Sequence, residues 1–175
     1  MEERGIGTAS GEATRLLSEG RPGHDHGACV DTALSHARDV TALAGRPLTG
    51  LRLEVLNELL RQHRPRGAYE LRDALADGTR KVQPIQIYRA LDSLARLRLV
   101  HRVESRNAYI ACTGGPDCDA PQLLICEGCD RVDELGDEAL GGIVDLVAER
   151  TGFTITRSLV EITGLCPDCA RNAKA

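Results

Sequence analysis

The sequence predicts an α+β fold in two parts, an N-terminal winged helix-turn-helix domain followed by a smaller C-terminal α/β domain. Three observations predict it. Four amphipathic helical segments run into a β-hairpin before residue 113, two C-x-x-C pairs bracket the remainder, and charge is divided between the two parts. The formal net charge of −4 conceals that division. Residues 1–45 hold four basic and seven acidic groups (−3), residues 46–111 thirteen and seven (+6), and residues 112–175 five and twelve (−7). A basic middle beside an acidic end suits a phosphate-contacting domain joined to one that binds cations.

Composition narrows the class further. An apolar fraction of 42% is that of a globular protein, but aromatics make up only 2%, so Leu, Val, Ile and Ala must fill the core. A small second domain poor in aromatics gains from a metal staple. No apolar run approaches the roughly 20 residues of a membrane span. The N-terminus lacks the charged-then-apolar pattern of a secretion signal, so the expected location is the cytoplasm, with no membrane partner. Thiols stay reduced there, and seven cysteines read better as metal ligands than as a disulfide framework.

Residues 1–27 are rich in Gly, Glu and Arg without periodicity and read as a flexible arm. The arm ends in His24-Asp25-His26, near Cys29, a run that is either solvated or metal-binding. From Cys29 to Ala44, Val30, Ala33, Leu34, Ala37 and Val40 recur at helical spacing, and Gly45 with Pro47 stops the helix. Thr49 is the expected N-cap of a second helix with Leu48 stapled onto Leu53, its buried stripe being Leu53, Leu56, Leu59 and Leu60. A third helix spans Ala68 to Ala76 with Leu71, Ala74 and Leu75 inward, and Asp77-Gly78 signals a turn.

Pro84 suits the first turn of a fourth helix, with Ile87, Leu91 and Leu94 on its apolar face. Gln86, Arg89, Ser93 and Arg96 fall on the opposite stripe. These are groups that pair with base edges and phosphates in a major groove, although an isolated helix with such a face reads equally as solvated. The following segment, Leu99 to Cys112, decides between them. It reads as a hairpin turning at Ser105-Arg106-Asn107, and helices followed by a hairpin make a winged helix-turn-helix, with Arg102 and Arg106 of the wing facing phosphate. The DNA-binding domain thus spans residues 28–112.

Residues 113–121 form a Gly/Pro/Asp-rich hinge linker, and the second domain spans 122–175. Gln122–Cys126 and Arg131–Leu135 read as strands around a knuckle, Leu140, Ile143, Val144 and Val147 mark a helix ended at Gly152, and Phe153–Ile162 reads as a long strand. Such an exposed strand invites pairing with a second copy, so this is a dimerisation domain and the expected assembly a homodimer. Cys126-Glu127-Gly128-Cys129 and Cys166-Pro167-Asp168-Cys169 can close a tetrahedron around Zn²⁺ with no open position, the mark of a structural site. Redox-active C-x-x-C chemistry is the competing reading, but it needs one motif and not two. His101 and Cys112 on the two hairpin arms, with Glu134 beyond the linker, could share a second ion joining the domains; read singly, they are equally core residues.

The segments LTGLRLEVL (48–56), AYEL (68–71), IYRALDSLARLRLVHRVESRNAYIAC (87–112), LLICEGCDRVDE (123–134) and GLCPDC (164–169) make the chain resemble the ferric uptake regulator superfamily, most of all its zinc uptake regulator branch. The resemblance implies a homodimeric repressor, not an enzyme, that binds double-stranded operator DNA with Zn²⁺ as corepressor and controls zinc uptake genes. It implies that Cys126, Cys129, Cys166 and Cys169 hold structural zinc, that Tyr69 and Arg89 read bases, and that His101, Cys112 and Glu134 hold the sensed zinc. The linker supplies the fourth sensing ligand. Relatives place a histidine there, whereas this chain offers Cys118, the softer donor, or Asp119, which aligns with the position. Ala76 stands where an arginine can pair neighbouring dimers on DNA. The alternatives are an iron, manganese or peroxide sensor of the same superfamily, which thiolate at Cys112 disfavours, and a zinc-storage or thiol redox protein, which has no use for a basic winged helix.

Overall fold

The computed structural model describes residues 15–16, 25–76, 81–113, 122–136 and 138–173. The expected Asp77-Gly78 turn, the hinge beyond Thr113 and residues 1–14 and 17–24 of the arm lie outside them. Four helices come early: α1 (His26–Leu43), α2 (Leu51–Leu60), α3 (Ala68–Leu75) and α4 (Pro84–Arg96). Helix α1 begins three residues before the expected Cys29, because the Asp25 side chain accepts a hydrogen bond from Ala28 N at 3.0 Å and caps it there. The N-cap of α2 is Gly50 and not Thr49. Gly50 takes φ 55°, ψ −137°, a conformation without a side-chain cap that glycine adopts at little cost, while the Thr49 hydroxyl turns back toward Pro47 O. In α4, Pro84 occupies the first turn, and Gln83 N donates to Gln86 Oε1 at 2.9 Å.

These helices pack because their apolar stripes meet. Val55, Leu56, Leu59, Leu60, Leu71, Ile87, Leu91 and Leu94 are buried, and Leu53 is only half-buried. Ala74, expected inward, is exposed on the short α3, where Ala68 and Leu71 carry the buried face. The hairpin follows as β2 (Val100–Val103), a single 3-10 turn (Glu104–Arg106) and β3 (Ala108–Ala111). Asn107 closes the turn in the left-handed region. Arg66 pairs with Tyr109 through N to O bonds of 2.8 and 2.9 Å, adding a third short rung to the wing.

Strands β4 (Gln122–Cys126), β5 (Val132–Gly136) and β6 (Val160–Gly164) belong to the second sheet, with helix α5 (Glu138–Thr151) between β5 and β6 and helix α6 (Pro167–Asn172) after them in the chain. With β1 (Arg15–Leu16) at one edge, the strand order is β1-β5-β4-β6, with β4 antiparallel to β5 and parallel to β6. Strand β1 is Arg15–Leu16, so these two residues of the expected arm pair with β5. The long strand expected over Phe153–Ile162 is regular only from Val160. Phe153, Ile155 and Ile162 are exposed, as are Ile143, Leu146 and Val147 of α5. Ile143, Leu146 and Val147 fall on one side of α5 by helical spacing, and an exposed apolar stripe of this kind marks a contact surface. No described helix is long and apolar enough to cross a membrane.

Period-two alternation gives the hairpin two masters. Val100, Tyr109 and Ala111 belong to the helical core, while Val103 and Ile110 pack with Leu123, Ile125 and Val132 of the second sheet. The wing is therefore the seam between the halves. Leu91 is fully buried in the helical core, whereas Leu43 is 90% exposed. In urea unfolding, Leu91→Ala should lose about 2–5 kcal/mol, and Leu43→Ala should stay within about 0.5 kcal/mol of the parent protein.

Candidate metal centres and nucleic-acid face

Two groups of potential ligands form among the described residues, each with donor atoms within 4.8 Å of one another: Cys126, Cys129, Cys166 and Cys169, and His101, Cys112 and Glu134. Pairing of β4 with β6 creates the first. Cys126 ends β4 opposite Gly164 of β6, and Glu127 N donates to Gly164 O at 2.8 Å, so the first knuckle lies beside the turn into α6. Cys129 Sγ is then 3.9 Å from Cys166 Sγ, and Cys166 N donates to Cys126 Sγ at 3.2 Å. Burial pushes the Cys126 thiol up, but backbone hydrogen bonds from Cys166, Gly128 and Cys129 prevail and draw it down to about 6. Sulfur neighbours, Cys166 and Cys126 foremost, hold Cys169 up at about 12. Four thiols this close cannot all ionise alone, which suits a site completed by a divalent cation, and the all-sulfur donor set suits zinc.

Glycine is required in the first knuckle. A Cβ on Gly128 would lie 2.9 Å from both Cβ and Sγ of Cys169. The knuckles interlock at that point.

The second group sits on the hairpin face turned toward the second sheet. His101 on β2 is paired with Ile110 on β3, and Cys112 follows two residues after Ile110, so alternation puts all three on the side of Val103. His101 Nε2 lies 3.1 Å from Glu134 Oε1. Glu134 Oε2 accepts from Thr113 N at 2.9 Å and from the Thr113 hydroxyl at 3.2 Å. All three potential ligands are buried, Glu134 at 2% exposure. Imidazole, thiolate and carboxylate from both halves fit a zinc ion that joins them. Cys112 is disulfide-bonded here, so ligation needs that bond reduced to thiolate. The two candidates for a fourth ligand, Cys118 and Asp119, lie outside the described residues, as does His24. His26 sets its Nε2 3.1 Å from Arg61 O and its ring edge-on to His63, with 5.2 Å between centroids. Cys29 is half-buried, its thiol raised by burial and by the charge of Glu134. Neither His26 nor Cys29 joins a ligand group among the described residues.

On α4, Gln86, Arg89 and Arg96 are exposed and Ser93 is half-buried, all on the side away from Ile87, Leu91 and Leu94. Gln86 spends its carbonyl oxygen on the helix cap, leaving its amide N–H groups outward. Tyr69 at the start of α3 is 57% exposed, with the Arg72 guanidinium 5.1 Å from its ring centre. The wing arginines are engaged within the chain: Arg102 with Glu104 at 3.1 Å and Asn107 at 3.0 Å, Arg106 with Asp130 at 3.6 Å. Sequence reasoning missed Thr113, Asp130 and Glu161, the last accepting from two wing amides. Their partners lie 21 to 57 residues away or across a turn, and no short-range spacing marks them.

Residues 44–163 match the model of the ferric uptake regulator family. The chain is similar to the zinc uptake regulation protein of Escherichia coli (strain K12), 34% identical over 137 residues that cover 78% of this chain and 80% of that protein. A solved zinc uptake regulator complexed with zinc and DNA superposes with a TM-score of 0.76 at 32% identity, covering 83% of this chain and 98% of that one. The crystal structure of holo XcZur superposes with a TM-score of 0.72 at 30% identity, covering 81% and 99%.

Gly128→Ala should drive Cys169 aside and weaken zinc retention by about tenfold or more, as loss of a supporting residue does at other metal sites. Competition with a chromophoric chelator measures it. Retention equal to the parent protein would mean that the knuckle backbone yields to the extra carbon.

Proposed function

The chain belongs to the ferric uptake regulator family, and from that premise we propose that it is a zinc-responsive transcriptional repressor that binds operator DNA as a homodimer and controls zinc uptake genes. It works in the cytoplasm as a regulator and not as an enzyme. The observation that carries the reading is the buried group of His101, Cys112 and Glu134, which straddles the seam between the winged helix and the second sheet. Cys126, Cys129, Cys166 and Cys169 hold the structural zinc; His101, Cys112, Glu134 and either Cys118 or Asp119 hold the sensed one.

When bound, the sensed ion balances the carboxylate and thiolate charges and supplies coupling free energy between the halves. His101 and Cys112 carry the wing, Glu134 carries the second sheet, and their closeness sets the angle at which α4 is presented. Binding that favours the DNA-competent angle must, by linkage, be favoured in return by DNA. Arg89 and Tyr69 read base edges, Gln86, Ser93 and Arg96 line the same groove, and Arg102 and Arg106 turn to phosphate. The exposed apolar side chains of α5 and of residues 153–162 supply a surface for the second copy, which places two α4 helices on successive major grooves. Hard or redox-active ions of an iron, manganese or peroxide sensor are served less well by the Cys112 thiolate.

Fluorescence anisotropy of the reduced protein on promoter DNA from zinc-transport genes, at fixed salt and buffered free zinc, tests the reading. Binding should appear only as zinc rises, with one tightly held ion per chain already present, and iron and manganese should substitute poorly. Absence of DNA binding at every zinc level would sink it. Cys112→Ser should abolish the zinc dependence while leaving the ion of the four knuckle cysteines in place. Arg89→Ala should cost about 1–3 kcal/mol on operator DNA and flatten sequence preference; equal loss on random DNA would instead make Arg89 a phosphate contact.

A further inference from the structure

The wing is held at its tip as well as at its base. Glu161 of β6 accepts from Glu104 N at 2.6 Å through Oε1 and from Ser105 N at 3.1 Å through Oε2, so one carboxylate engages two successive amides of the wing turn. Carboxylate to backbone N–H bonds are charge-assisted and stronger than neutral ones. Burial pushes the Glu161 carboxyl up, but hydrogen bonds from Ser105 and Glu104 outweigh it and hold it below the ordinary carboxylate value. A second acid of the same domain flanks the tip, Asp130 of the first knuckle, 3.6 Å from Arg106.

The sheet register ties this contact to the metal group. Leu123 of β4 pairs with Glu134 on one side and with Glu161 on the other, so Glu134, Leu123 and Glu161 form one row across three strands, and their side chains share a face. Leu123 is fully buried against Val103 and Ile110 of the hairpin. The row thus presents to the wing a carboxylate at its base, an apolar contact in its middle and a carboxylate at its tip. Held at the base alone, a hairpin can pivot about that point; held at both ends, it has one orientation relative to the sheet.

We propose that Glu161 is a positioning residue that latches the wing turn to the dimerisation domain, so that joining His101 and Cys112 to Glu134 fixes the whole wing and not only its base. The proposal rests on the repressor reading for its consequence on DNA, though not for the latch itself. Removing the carboxylate charge leaves the ligands in place but lets the wing tip swing, so closure at the metal group is passed less completely to the DNA-binding face. By reciprocity, operator DNA then tightens zinc binding less in the variant than in the parent protein.

The deciding experiment compares the dimeric protein carrying Glu161→Gln, an isosteric change, with the parent at buffered zinc. Operator affinity at saturating zinc should fall by about tenfold, the scale of one or two charge-assisted hydrogen bonds, while the dimer and the zinc of the four knuckle cysteines are retained. In ¹H–¹⁵N spectra the Glu104 and Ser105 amides should move upfield and exchange faster, with those of Ile87–Leu94 unchanged. Glu161→Asp, which keeps the charge on a shorter stem, should restore part of both effects. Unchanged Glu104 and Ser105 amides in the Gln variant would overturn the latch, and unchanged operator affinity would overturn its role in DNA binding. Failure of the parent protein itself to bind DNA with zinc would sink the repressor reading, and the amide spectra would still decide the latch.

Discussion

The constraint on which the structure turns is a carboxylate with almost no access to water. Glu134 is 2% exposed, and a buried charge is costly unless its lone pairs are occupied and its charge is balanced. One oxygen takes both donors of Thr113 and the other faces His101 Nε2, so each of these partners comes from the winged-helix side of the chain. A group on β5 has thus been made to depend on β2 and on the residue after Cys112. Separating the halves would leave the carboxylate without these partners. The dependence needs no ion: the sheet and the paired hairpin already bring His101 Nε2 within 3.1 Å of the carboxylate.

The hairpin makes this economy possible. Its side chains alternate between two cores, and the alternation divides them by role. Val100, Tyr109 and Ala111 fasten it to the helices, while His101, Val103, Ile110 and Cys112 meet the second sheet. A slip of one residue in register would exchange the two sets and turn the imidazole and thiol toward the helices. The rung between Arg66 and Tyr109 and the left-handed Asn107 at the turn hold the register, so residues remote from the ligands decide whether the ligands meet.

Much of this is legible in the chain because it rests on short-range pattern. The period of Ile87, Leu91 and Leu94, the first-turn Pro84, the hairpin with its turn at 105–107 and the spacing of the two knuckles are local signals, and the helix, the hairpin and the cysteine cluster form where they point. The departures are local competitions that pattern alone does not settle. Asp25 captures the start of α1 ahead of Cys29, and Gly50 displaces Thr49 because a positive φ is needed where the chain leaves Pro47. Ala74 points inward only by a period that an eight-residue helix is too short to enforce. The strand over 153–162 is regular only from Val160, where β4 lies alongside; a strand needs a neighbour, and the earlier residues have none within the described chain. The Glu161 contact with the wing spans more than fifty residues and carries no sequence signature.

The ion pairs divide into two kinds with different uses. Arg102 with Glu104, and Arg106 with Asp130, are solvent-exposed at the wing, and exposed pairs contribute about 0–1 kcal/mol each. Pairs this weak can be exchanged for another partner at little cost. Arg131 with Asp133, and His101 beside Glu134, are far less accessible and cannot be exchanged so cheaply. The exchangeable pairs therefore lie on the solvent side of the wing, and the fixed ones lie at the second sheet and where the two halves are joined. The charge of the chain is thus split twice, between a basic middle and an acidic end and between loose pairs at the wing and tight ones in and beside the second sheet.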